Sequence, residues 1–128
     1  MTTQANPAWM TWTGRVVSGL AGLMVVFSAS MKLMHSPEVV QGFAHFGFPE
    51  GVITPIAIVE LACVLIYLVP QTAVLGAILT SAYFGGAVVT HVRLEEGFVA
   101  PVLVAVALWA GLWLRDPALR ALAPLRRA

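Results

Sequence analysis

Charge is what this sequence has least of. Asp, Glu, Lys and Arg together make up 10% of the 128 residues, where an ordinary soluble domain carries about a quarter. The 7 basic and 6 acidic residues leave a formal net charge of +1, which is no footprint for nucleic acid. A single cysteine, Cys63, excludes an intramolecular disulfide and a CxxC dithiol. HExxH, GxSxG and phosphate-loop patterns are absent, so the common metal, acyl-transfer and nucleotide signatures are missing. Apolar residues take up the room instead: 59% of the chain is hydrophobic and the mean hydropathy is +0.89. A chain this short buries only about two-thirds of the surface it exposes on unfolding, and cannot hide that much apolar area from water. A soluble globular enzyme, a disordered chain and a disulfide scaffold are thereby excluded. The expectation is one integral membrane domain over residues 1–128.

Four apolar runs carry that expectation, at about residues 16–34, 53–69, 73–92 and 98–114. Each reaches the lower limit for a membrane span, since about 17–25 residues cross a hydrocarbon core near 30 Å. Lipid offers no partner for backbone polar groups, so the runs must be helices. The fold class is therefore all-α, a four-transmembrane-helix antiparallel bundle. Val69-Pro70-Gln71-Thr72 is a tight uncharged turn, and residues 93–97 form a second short link. Only the connection over residues 35–52 is long. In it, Ser36-Pro37-Glu38 has the form of a helix start, with serine as N-cap and proline in the first turn. Val39, Phe43 and Phe46 then share one face, and Glu38, Gln41 and His45 the other. That pattern predicts a short interfacial amphipathic helix between the first two spans; an irregular loop dipping its phenylalanines into lipid is the alternative. The first run is expected to stay, because no charge precedes Arg15 and a cleaved leader has a basic start. After Asp116-Pro117 a juxtamembrane helix is predicted, with Asp116 as its cap, Leu119 and Leu122 toward lipid, and Arg120, Arg126 and Arg127 toward headgroup phosphates.

Four spans put both termini on one side. That side holds Arg15, Arg115, Arg120, Arg126 and Arg127, against Lys32 and Arg93 on the other. Basic residues stay inside, so both termini are expected in the cytoplasm of a bacterial inner (plasma) membrane protein. Trp9, Trp12, Trp109, Trp113 and Tyr67 form an interfacial belt near the terminal side in this reading.

Lys32 and Glu60 need an account, because a charge at membrane depth costs about 2.5–3.5 kcal/mol on insertion scales. Lys32 lies about one turn from the outer end of the first span, and Glu60 about 10 Å down the second. The offset is within reach of a lysine stem, which predicts an ion pair. Lys32 snorkelling to headgroups and a protonated Glu60 are the competing readings. His35 lies three positions after Lys32, on the same helical face. His91 and Arg93 end the third run on the same outer side. Lys32, His35, Glu60, His91 and Arg93 thus form a candidate polar cluster lining an outward pocket; histidines merely resting near interfacial water are the plainer reading. Small residues recur at four-residue spacing, with Gly22, Gly85, Gly86 and Gly111 among them, which predicts close helix packing. The sharper reading of Gly85-Gly86 is space for a ligand beside Tyr83 and His91. Cys63 is expected to be a small core residue. No metal site is expected, and the histidine spacing gives no support to bis-histidine haem.

In order and spacing these residues resemble the DoxX-like membrane protein family. The likeness is carried by Lys32-Leu33, Gly47-Phe48-Pro49, Glu60-Leu61, Val69-Pro70, Gly85-Gly86-Ala87 with His91, and Leu114-Arg115-Asp116-Pro117. It implies a compact four-helix membrane bundle in which Lys32, Glu60 and His91 occupy the family's polar positions. Its members include a subunit of a thiosulfate:quinone oxidoreductase, proteins of membrane redox defence and a receptor-assembly chaperone. Two functions follow as expectations. One is an accessory or assembly protein that docks on a membrane partner or on a second copy of itself. The other is a quinone- or lipid-binding subunit of a membrane oxidoreductase, with Glu60 and His91 carrying protons beside an apolar pocket and quinone as the candidate cofactor. The lone Cys63 argues against a thiol relay. Transport is disfavoured, since four short helices without an internal repeat make a poor alternating-access machine.

Overall fold

The computed structural model describes residues 5–125, and they are helical with no strands among them. In chain order the helices are α1 (Ala8–Leu33), α2 (Pro37–His45), α3 (Ile53–Leu68), α4 (Ala73–Arg93), α5 (Val99–Arg115) and α6 (Pro117–Leu122). Single 3-10 turns, Glu50–Val52 and Pro70–Thr72, lead into α3 and α4. With those turns, three helices are long and apolar enough to cross a membrane; α5, at 17 residues, is a shorter apolar helix. α1 begins well before the apolar run that announces it. Nothing between Pro7 and Arg15 breaks a helix, so Pro7 sets the start and Trp9 and Trp12 join the first turns.

The long helices form a closed ring of contacts, α1 on α3 and α5, and α4 on α3 and α5. Small residues let them approach. A Cβ on Gly14 would lie 2.7 Å from the Gly111 carbonyl oxygen, and one on Gly111 would strike Ser18 Oγ. A Cβ on Gly76 would strike the Tyr67 backbone, which seals α3 against α4. Gly22 is closed by Leu68 Cδ2. Gly22 and Gly111 therefore sit at close approaches. Gly85 and Gly86 do not: a Cβ on either meets nothing within 4 Å, so no neighbouring helix closes there.

The core is narrow and built from Ala21, Val25, Val64, Tyr67, Ala73, Ala77, Leu108 and Leu112. Tyr67 departs from the interfacial belt expected of it, since it is fully buried. Its hydroxyl donates to Leu108 O at 2.6 Å and accepts from the Ser18 hydroxyl at 2.9 Å, so the phenol enters the core with its polar end satisfied. Cys63 is buried.

α2 occupies the first connection, with the Ser36 hydroxyl accepting from Val39 N and Pro37 in its first turn. Val39, Phe43 and Phe46 are half-buried; Glu38, Gln41 and His45 are exposed. At the other end, Asp116 caps α6 by accepting from Ala118 N and Leu119 N. Two expectations for α6 are corrected. Leu119 packs against the core while Leu122 is exposed. Arg120 does not reach outward: it donates to Trp113 O, Leu114 O and Asn6 Oδ1. The last carbonyls of α5 have no partner within their own helix, and the guanidinium supplies one. Arg126 and Arg127 lie outside the described residues.

Candidate functional site

The last three turns of α1, the first half of α3 and the last three turns of α4 line a cavity of about 590 Å³, roofed by the end of α2 and walled by the start of α5. That volume lies in the range of small-molecule sites. Most of its lining is apolar. The polar groups are few and close together: Ser28, Lys32, Glu60, Tyr83, Thr90 and His91.

Lys32 Nζ lies 2.8 Å from Glu60 Oε2 and 2.6 Å from Ser28 Oγ. Glu60 is 2% exposed, so the ammonium does not snorkel away from it. Ser28 precedes Lys32 by one turn on the same face and steadies the stem. An ammonium has three donors, and these two bonds use two of them. Tyr83 stands beside Glu60 and also lines the cavity. His91 Nδ1 donates to Ala87 O at 2.8 Å. A carbonyl only accepts, so Nδ1 carries a proton. The ring packs on Phe46, with centroids 4.9 Å apart.

Two members of the expected cluster stand apart from this cavity. α1 ends at Leu33, and His35 follows with φ 51°, a left-handed turn that breaks the helical face it was expected to share with Lys32. Its Nδ1 lies 3.3 Å from Leu33 O. Arg93, at the end of α4, donates to Phe46 O and sits over the Phe48 ring at 5.9 Å. His45 Nε2 hydrogen-bonds Glu96 Oε1 nearby. Both contacts join the end of α2 to the end of α4 and the link that follows it, so Arg93 holds the roof on and does not line the chamber. Gly47 between the two phenylalanines has φ 81°, the left-handed region that glycine tolerates best.

Sequence reasoning missed Ser28, Thr90, Phe43, Phe46 and Phe48 as lining residues. Ser28 carried a signal, one helical turn before a lysine that needs a partner. The phenylalanines carried none, because their place depends on how α2 folds back. Among the described residues, no three His, Cys, Asp or Glu side chains come together as metal ligands would.

The arrangement can hydrogen-bond a small polar head, exchange protons with it and surround the rest with hydrocarbon. A sequence model of the DoxX-like family matches residues 16–115. That stretch holds every polar residue of the cavity. No curated protein and no solved structure matches the chain.

Proposed function

The chain belongs to the DoxX-like family, and we propose that this small membrane protein binds an amphipathic carbonyl ligand of the quinone class as the binding partner of a membrane redox complex. One observation carries the reading: a chamber of hydrocarbon whose few polar groups converge at one end. Lys32 and Tyr83 are the donors for ligand carbonyls, and Glu60 and His91 exchange protons with the ring as its redox state changes. Electrons come from a partner protein in this reading, which retains the accessory role expected from the sequence.

The same proposal gives four antiparallel spans, α1, α3, α4 and α5, with α2 lying in the outer interface. α5 alone spans about 25 Å at 1.5 Å per residue, so it stands nearly upright in the bilayer. Both termini are cytoplasmic because basic residues concentrate on their side, and the chamber then sits in the outer half of a bacterial inner membrane.

The test is binding of a tail-less benzoquinone to purified protein in dodecylmaltoside micelles. Saturable binding is expected. Gly86→Leu should abolish it, since the new side chain projects into the chamber and meets no backbone. Tyr83→Phe should weaken it about 5–10-fold, the effect of one hydrogen bond. Absence of saturable binding, or a Gly86→Leu protein that binds like the wild type, overturns the proposal.

A further inference from the structure

A second cavity of about 800 Å³ runs along the outside of α4 and α5. It follows α5 from Pro101 to Trp113, roughly 18 Å at 1.5 Å per residue, and its lining is almost wholly apolar. The two indoles that border it have spent their donors: Trp109 Nε1 donates to Ser81 Oγ and Trp113 Nε1 to Ala123 O. Nothing in this groove asks for a polar partner.

The groove and the polar chamber share a wall, because Phe84 and Pro101 line both. The neighbouring glycines divide between the two spaces. Gly85 lines the groove and Gly86 the chamber, each with nothing within 4 Å of where a Cβ would stand. On the α2 side the chamber is covered by Phe43, Phe46 and Phe48, held down by Arg93 on Phe46 O and by His45 on Glu96. In the orientation proposed above, the α2 side is the one next to water and the α4–α5 side faces hydrocarbon.

We infer that the ligand is long-tailed and reaches the chamber sideways from the bilayer, its head at Lys32 and Glu60 and its tail passing between Phe84 and Pro101 into the α4–α5 groove. This rests on the ligand-binding reading above and adds to it the tail and its path. A chamber of about 590 Å³ is finite, so the far end of a long tail must leave it, and the surface beyond the shared wall matches that end. Lipid is as apolar as the groove, so the tail gains no hydrophobic free energy by lying there. The groove fixes its position by packing, and position is therefore the readout.

The experiment uses the full chain in phosphatidylcholine nanodiscs with a benzoquinone whose isoprenoid tail ends in a diazirine. Photolysis should label the groove around Ala110, Trp113 and Leu119, and excess tail-less benzoquinone should remove that label. Gly85→Leu should lose the label while still binding the tail-less quinone as the wild type does. Three results overturn the path: labelling of the exposed α1 face at Leu20, Leu23 or Phe27; groove labelling that the tail-less competitor leaves in place, which marks an ordinary lipid as the occupant; and groove labelling that survives Gly85→Leu. If tail-less quinone binds and the label lies elsewhere, only the path fails. If tail-less quinone does not bind, the ligand reading fails and the path with it.

Discussion

Lys32→Met keeps the length of the side chain and removes its charge. In the wild type, Nζ lies 2.8 Å from a carboxylate that is 2% exposed. The substitution orphans Glu60, and removing one member of a buried pair typically costs about 3–5 kcal/mol. The assay is SDS titration of the protein from dodecylmaltoside micelles, followed by circular dichroism. Lys32→Met should lose about 3–5 kcal/mol. Glu60→Gln should cost less, since the amide still accepts from Lys32 and the lysine retains Ser28. The double variant should recover part of the Lys32→Met loss, because no buried carboxylate remains to be orphaned. A Lys32→Met loss below about 1 kcal/mol, or strict additivity in the double variant, refutes the reasoning.

Gly76→Ala and Gly85→Ala separate the closed side of the ring from the open one. The first drives a methyl into the Tyr67 backbone and should cost about 3 kcal/mol or more; the second meets nothing and should be neutral or gain up to about 1 kcal/mol of helix propensity, both read by the same titration. A phosphatase that works only in the periplasm, fused after Ala128, should stay inactive, and a fluorescent protein that matures in the cytoplasm should light up there; the reverse pattern would turn the chamber to the inside.

The polar site was legible in part. Lys32 and Glu60 stood out because charge is so scarce that each buried one demands a partner, and helical rise alone put the two within a stem's length. Tyr83 and His91 followed from sharing α4 with the glycine pair. His35 misled because a helical face extends only as far as its helix, and the left-handed turn after Leu33 is a matter of local chain geometry. Arg93 misled for another reason: a basic residue at a helix end is equally suited to a pocket and to a loop carbonyl, and only the fold of α2 decided between them. Tyr67 looked like an interfacial aromatic because it neighbours the Pro70 turn. The Ser18 hydroxyl and the Leu108 carbonyl that satisfy its phenol come from helices far away in sequence.

Composition and periodicity by themselves determined that the chain is helical and belongs in a membrane, because 10% charge and long apolar runs leave no other way to satisfy the backbone. Ser36-Pro37 and Asp116-Pro117 determined where two short helices begin, since capping needs only neighbours in the chain. The tertiary structure alone decided which glycines seal and which leave room. Gly76 and Gly85 are the same residue on the same helix, and only the position of α3 brings a backbone against one and not the other. It also decided that Phe43, Phe46 and Phe48 roof a chamber, and that Phe84 and Pro101 stand between that chamber and an outer groove. Such facts depend on distances between segments far apart in sequence, and no local pattern of residues encodes them.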